Sequence, residues 1–425
     1  MTMRLGGLSL AEATALMDRL TEGQASLETS ATLALTERVG GHPAVLEALS
    51  ARCREAGAWS ALSELQQAAT GSDFMDAIAA GGYDIRAALH ASIPTGDLRA
   101  AELLRRWPRS TPALPVWAVA QLLDRSVEMA ASTLNSLYEC GLVEWVDGDE
   151  VDAKAGLHPL ALCIVIEEDD TASTHDRSIA ARRRVLASWL ALLARASQRN
   201  QLQHPAATPP DRARPMPAAV VDAVVEDPQD WLEANRGDLE VAIGDAADID
   251  YELCWQLGTM YLLAYDSDKD RRHAELAEIV RMAATRSGDR RGETAVLHAS
   301  ADVHLRQGEI SKADAEIAAA ERLCAELDES GVQAVLALGR GDVAMVRRQF
   351  SAAHLHFTTA LQLFQADGNR PGQLCAILRL ARFQHDPQES RRWFAKAAEL
   401  ARSLDGGAEA VSDAAVVSED TARSS

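Results

Sequence analysis

The sequence predicts a mainly all-α fold, with helical hairpins stacked into an α-solenoid in its C-terminal half. Three observations carry this. Alanine and leucine dominate, aromatic residues make up only 4%, and β-branched runs are few, which is a helix-forming composition. Gly288 to Asp367 is nearly one unit written twice, forty residues apart. In the N-terminal part, apolar residues recur at helical spacing between capping and breaking residues, and strand character is confined to one hairpin after Gly141.

From the N-terminus, Ser9-Leu-Ala-Glu12 reads as a capping box opening a helix with Ala13, Leu16, Met17 and Leu20 on one face. A second helix, Ala31 to Val39, stops at Gly40-Gly41. His42-Pro43 starts a third, with Val45, Leu46 and Leu49 inward, and Trp59 to Ala69 reads as a fourth. After Gly81-Gly82 come three short helices, Leu98 to Trp107, Val116 to Leu123 and Val127 to Tyr138. A strand follows at Leu142 to Val146, with a turn at Asp147 to Glu150 and a return strand from Val151. Three helices followed by a hairpin predict a winged helix.

An Arg-rich helix runs from Arg182 to Ala196, its arginines read as a solvated polar face. Gln198 to Pro228 holds six of the fourteen prolines and reads as a linker. Helices resume at Trp231 and run in pairs to Leu404. The expected divisions are a helical subdomain at 1–80, a winged helix at 83–166, a helix and Pro-rich linker at 167–230, repeats at 231–404 and a disordered tail at 405–425.

In the forty-residue register Asp302-Val303 falls on Asp342-Val343, Ser311 on Ser351, Ala313 on Ala353, Ala320 on Ala360 and Leu323 on Leu363. Ile317 falls on Phe357 and Ala301 on Gly341. Small residues seven apart with a large apolar one between them mark two closely packed antiparallel helices. Such a hairpin cannot bury its apolar face alone, so it stacks on a neighbour. Gly341, Ala353, Phe357 and Ala360 resemble the tetratricopeptide repeat, whose usual period of about 34 is shorter. Tyr251 to Ser287 is a weaker unit, and Ser390, Phe394, Ala397 and Leu400 repeat the second-helix pattern imperfectly.

The order of parts resembles the C-terminal portion of bacterial NB-ARC-type signal-transduction ATPases, which are transcriptional regulators. The matching parts are Gly41-His-Pro43, three helices and a hairpin, His158, the segment Asp230 to Ile243 (DWLEANRGDLEVAI) and the repeats, from about Leu5 to Leu404. In that family a Gly-x-Pro motif touches the adenine and a histidine after the winged helix lies near the β-phosphate. The resemblance implies vestigial nucleotide contacts at Pro43 and His158. The family's aspartate after the histidine is Pro159 here.

No GxxxxGK[ST] occurs, so the successive backbone N–H groups and lysine that cradle phosphates are missing, as is an Asp-ended apolar strand for magnesium. Without that core the chain is expected neither to bind nor to hydrolyse ATP alone. An upstream ATPase domain or partner is implied by the resemblance. In a chain without a P-loop, plain structure is the favoured account of Pro43 and His158: a helix-starting proline and a buried histidine.

Other chemistry is thin. His354-x-His356 on a helix diverges by roughly 200°, so no metal is expected there. Gly339-Arg-Gly341 lacks a preceding strand and third glycine, and GxSxG and HExxH are absent. The six cysteines have never fewer than 22 residues between them and read as buried thiols. No catalytic residue, cofactor or metal is assigned, and the chain is expected not to be an enzyme.

Net charge is −21, which opposes non-specific nucleic-acid and anionic-membrane binding. The helix SVEMAASTLNSLYEC (Ser126 to Cys140) carries two glutamates and no cation, so it is expected to pack rather than read DNA. No signal core precedes Leu10, and Val185 to Ala194 is too short to span a bilayer. A cytoplasmic protein is expected. The expected role is protein or peptide binding on the repeat array within an NB-ARC-like transcription-regulatory system. The other reading is a stand-alone tetratricopeptide adaptor unrelated to transcription.

Overall fold

A computed structural model describes residues 8–56, 98–161, 172–198 and 216–404, with positions 87 and 411. Short gaps fall at 24, 26–28, 109–110, 112, 148–151, 159, 266–270, 326–328 and 384–385. The predicted helix Trp59 to Ala69, the turn after Asp147 and the tail from 412 lie outside the described residues. The chain divides into two compact units, Met1–Val185 and Leu186–Ser425.

In the first unit, α1 (Leu10–Leu20), α2 (Thr29–Arg38) and α3 (Pro43–Ala56) form a helical subdomain. The predicted capping box is present: the Ser9 side chain accepts from the Glu12 N–H and the Glu12 carboxylate accepts from the Ser9 N–H. Met17, Leu35, Val39, Val45, Leu46, Leu49 and Cys53 make the core, and Leu160 joins them from far along the chain. Gly40 and Gly41 both adopt positive φ, 58° and 66°, which only glycine takes cheaply. A Cβ on Gly41 would also lie 2.9 Å from the Leu8 nitrogen and 3.0 Å from its carbonyl carbon.

Next come α4 (Leu98–Arg106), β1 (Ala113–Pro115), α5 (Val116–Leu123), α6 (Val127–Glu139), β2 (Val143–Asp147) and β3 (Lys154–Leu157). The three strands form an antiparallel sheet in the order β1-β3-β2. The three-helix-and-hairpin order expected from the sequence is present. The extra strand β1 is too short, and too proline-flanked, to show a period. Trp117, Val119, Leu122, Leu134, Leu137, Val143 and Ala155 are buried around this sheet. α7 (Ala172–Ala196) begins ten residues before the arginines that marked it.

In the second unit, α8 (Ala218–Val224) lies inside the stretch read as linker, and Pro228 is not linker but the first residue of α9 (Pro228–Ile249). Pro at N1 supplies a preset φ and lacks only an N–H that has no helical partner anyway. Helix pairs follow: α10 (Tyr251–Ala264) with α11 (Arg271–Ser287), α12 (Arg290–Arg306) with α13 (Ile310–Cys324), α14 (Ser330–Val346) with α15 (Phe350–Ala366), and α16 (Arg370–Arg382) with α17 (Pro387–Ala401). The first helices α12, α14 and α16 start at 290, 330 and 370, so the forty-residue register extends one unit beyond the stretch that revealed it. Successive pairs stack on one another. This half is an all-α helical-repeat solenoid.

Ala313, Ile317, Ala320, Ala353, Phe357 and Ala360 are all at most 1% exposed. The leucines at 323 and 363 are only partly buried, and the fully covered positions are their neighbours Cys324 and Phe364. The register was right and the inward position one residue off, a drift that follows from 3.6 residues per turn. In α17 Ala397 and Ala401 are buried while Phe394 and Leu400 stay partly exposed. Of the cysteines expected to be buried, Cys53, Cys254, Cys324 and Cys375 are, but Cys140 at the C-cap of α6 is exposed. Among the described residues no helix is long and apolar enough to cross a membrane.

Candidate functional site

The two residues singled out for nucleotide contact come from stretches over a hundred positions apart, and the fold brings those stretches together. Pro43 is the exposed first residue of α3. His158 directly follows β3, and its backbone N–H donates to the Leu142 carbonyl at 2.9 Å, prolonging the β2–β3 ladder. Two residues later the fully buried Leu160 inserts among Leu35, Val39 and Leu46 of the helical subdomain. That apolar anchor fixes the segment, and the His158 ring meets the Gly40 carbonyl and lies near His42.

The hydrogen bonds set the tautomer of His158. Its Nδ1 accepts from the Leu160 N–H at 3.3 Å, so the other ring nitrogen carries the proton and donates to Gly40. Burial holds the His158 pKa below its usual value of 6.5; Glu144 opposes this, and His42 adds to it. Burial also lowers the pKa of His42. A second proton on His158 would point Nδ1–H at the Leu160 N–H, donor against donor. The unfolded chain therefore takes up protons first as pH falls below 6.5, and this neutral contact loses stability in that range. The site is a neutral histidine joint between the subdomain and the sheet. Sequence reasoning paired Pro43 with His158; in the structure Gly40 and His42 are the neighbours, and Leu160 is the residue it missed.

The second candidate site is a narrow cleft in the solenoid with room for about one water (about 10 Å³), lined by His298, Ala301, Asp302, Leu305, Ile317, Leu338, Gly339, Asp342 and Arg379. It draws on three successive units, so no single hairpin could make it. Asp302 and Asp342, the pair that fixed the repeat register, sit side by side on α12 and α14. Asp302 pairs with Arg306 one turn on, at 3.2 Å. Both carboxylate oxygens of Asp342 accept from Arg379 Nε, at 2.9 and 3.0 Å. Arg379 also donates from Nη1 to Cys375 Sγ at 2.9 Å.

Arg379 is 9% exposed, and burial works against its charge. Asp342 more than offsets this, leaving the guanidinium pKa above its usual value. Burial raises the Cys375 thiol to about 11, so it stays protonated and unreactive. Arg379 occupies the register position of Ala299 and Gly339; a Cβ on Gly339 would press on Ile317 Cδ1 at 3.1 Å. The sequence places both aspartates in one register, but beyond Asp367 it shows the pattern only in the second helix, at Ser390, Phe394, Ala397 and Leu400, and so does not point to Arg379.

His354 and His356 lie on α15, one exposed and the other partly buried. Among the described residues no three His, Cys, Asp or Glu side chains gather as a metal site. α6 buries Ala130, Thr133, Leu134 and Leu137 and exposes Glu128 and Tyr138.

No family model matches the chain. A stretch of 109 residues, 26% of the chain, is 32% identical to Regulatory protein AfsR of Streptomyces griseus, and it covers 11% of that protein. Among solved structures the chain is similar to the Signal Transduction ATPase with Numerous Domains (STAND) protein with a tetratricopeptide repeat sensor from Pyrococcus horikoshii. That match has 13% identity and a TM-score of 0.32, over 96% of this chain and 61% of the other. The chain thus spans a small part of the curated regulator and under two thirds of the solved one.

Proposed function

We propose that the chain is a regulatory protein-binding module whose partner, a protein or peptide, docks on the repeat array over the cleft between α12, α14 and α16. The observation that carries this is a polar cluster built across stacked units: Asp302, Asp342 and Arg379 hold fixed charges at the mouth of the cleft, beside the partly buried Leu305. Charges fixed across stacked units suit an extended or helical segment with a few polar anchors, and solenoids bind along such surfaces. The partial likeness to a regulatory protein supports a place in a signal-responsive, NB-ARC-like transcription-regulatory system.

In this reading the ATPase activity belongs to an upstream domain or a separate partner, and the chain itself is not an enzyme. The unit of three helices and a sheet is a degenerate winged helix that packs rather than reads DNA, since α6 exposes Glu128 and Glu139 without a cation. Pro43 and His158 serve structure here.

The test is selection of peptides on the full chain from a displayed library, followed by competition with cleft variants. Leu305→Arg should abolish binding of the selected peptides, while Leu355→Arg on the exposed face of α15 should leave it intact. Selected peptides that bind both variants equally would place recognition elsewhere.

A further inference from the structure

A concave pocket of about 270 Å³ lies in the first unit, lined by Glu102, Arg106, Leu123, Asp124, Arg125, Arg177, Ala180 and Arg184. It shares no residue with the His158 joint. Four guanidiniums meet here in a chain of net charge −21, and only two carboxylates face them.

Two of the arginines have a structural task. Arg106 Nη1 donates to the Leu122 carbonyl at 2.7 Å, and Arg184 donates from Nε to Gln121 at 2.9 Å and from Nη2 to Leu122 at 3.3 Å. These carbonyls belong to the last turn of α5, where backbone partners run out; Gln121 accepts a long 3.4 Å bond from the Asp124 N–H, and cations there also meet the negative end of the helix dipole. Arg106 is further tied to Glu102 at 2.7 Å. At the end of α10 a single arginine, Arg306, does the same work by donating to Leu262 and Tyr265. Arg106 and Arg184 therefore suffice to cap α5.

Arg125 and Arg177 are surplus to that task. Both are exposed at the pocket. Arg125 follows Asp124, whose left-handed conformation (φ 55°) turns the chain out of α5, and among the described residues it donates to the Asp124 carbonyl at 2.7 Å. Arg177 comes from α7, an element distant in sequence. Assembling cations from α4, the α5–α6 turn and α7 around one hollow costs repulsion that a bound anion offsets. Guanidinium groups converging from several directions match the tetrahedral oxygens of a phosphoryl group better than a planar carboxylate.

We infer that this pocket binds the phosphoryl group of a small phosphorylated ligand, with Arg125 and Arg177 as its mobile donors and Arg106 and Arg184 as its fixed rim. A hollow of this size takes a diphosphate-sized anion. A nucleic-acid duplex fits it poorly, because the neighbouring α6 presents Glu128 and Glu139 where further phosphates would run.

The experiment is isothermal titration of the full chain with inorganic pyrophosphate, beside a mixed-sequence DNA duplex. We expect saturable pyrophosphate binding that weakens with added salt. The Arg125→Gln/Arg177→Gln double variant should bind about tenfold more weakly, the loss expected for charge-assisted hydrogen bonds. Because neither residue caps α5, the variant's unfolding midpoint should match that of the parent, which separates lost binding from lost folding. No saturable pyrophosphate binding, equal affinity in the double variant, or binding of the duplex without pyrophosphate would each overturn the assignment.

Discussion

Gly341 and Phe357 form the tightest test of how the repeats pack. A Cβ built on Gly341 would lie 2.5 Å from Phe357 Cδ1 and 2.9 Å from Cζ, and closer still to Cε1. Carbon atoms in contact prefer about 3.5–4.0 Å. Phe357 is 1% exposed and its ring stacks on Phe383 with centroids 6.1 Å apart, so it has nowhere to withdraw. In the preceding unit the same pair is Ala301 and Ile317, both buried in one cluster. The two units solve one packing problem with opposite sizes: a methyl on one side and a shorter side chain on the other, or no methyl and a ring.

Gly341→Ala therefore sets two effects against each other. Alanine is favoured over glycine in a helix interior by about 1 kcal/mol, while overpacking a filled core costs about 1–3 kcal/mol. With a fully enclosed ring as the obstacle the second wins, and the variant should be destabilised by about 1–2 kcal/mol. Gly237→Ala, mid-helix with nothing within 4 Å of its Cβ, should gain up to about 1 kcal/mol. The decisive variant is Gly341→Ala/Phe357→Ile, which copies the preceding unit. It should be more stable than the sum of its single variants by about 1 kcal/mol or more. The assay is urea unfolding of the full chain followed by far-UV circular dichroism. If Gly341→Ala stabilised as Gly237→Ala does, or the double variant showed no coupling, the claim of paired compensation would be refuted.

Ala353→Leu and Ala360→Leu, at fully buried sites, should each cost about 1–3 kcal/mol in the same assay, whereas exposed Ala398→Leu should stay within about 0.5 kcal/mol. Arg348 holds φ 58° where the preceding unit has Gly308 at 75°, so Arg348→Gly should gain about 1 kcal/mol by relieving left-handed strain. Arg379→Met leaves the Asp342 carboxylate without its guanidinium and should cost about 3–5 kcal/mol, with Asp342→Asn/Arg379→Met recovering much of that. His158→Gln should flatten the loss of stability between about pH 7.5 and about pH 5.5; an unchanged slope in thermal melts would show that another group controls it.

The solenoid was legible because its packing positions repeat: small residues at 313, 320, 353 and 360 and the caps between helices are local signals. Unit four was harder to see, because α17 starts at 387 rather than 390 and leaves Phe394 and Leu400 partly exposed. β1 carries no period in three residues. α8 was hidden by the prolines around it, Pro217 being its N-cap, so composition spoke for linker where position spoke for helix. The site was legible in halves. Asp302 and Asp342 share a register, but nothing local announces Arg379 as their partner, and nothing in the motif at 41–43 announces Leu160 as the residue that brings His158 beside it.

That asymmetry bears on function. Positions that pack one helix against the next conserve size across units, or compensate for it, as Ala301 with Ile317 and Gly341 with Phe357 do. Positions lining the cleft do not: Gly339 of one unit gives way to Arg379 in the next, while Asp302 and Asp342 recur. A strictly repeated array would present a ladder of like carboxylates, with mutual repulsion and no preferred place along it for a ligand. Putting Arg379 opposite Asp342 removes that repulsion at one end and leaves Asp302, held by Arg306 of its own helix, at the other. The cleft thereby gains a direction along the solenoid. A segment lying over it would meet an Asp–Arg pair within one helix at one end and an Asp–Arg pair between helices at the other. The departures from the repeat, more than the repeat itself, are where selectivity for a partner would reside.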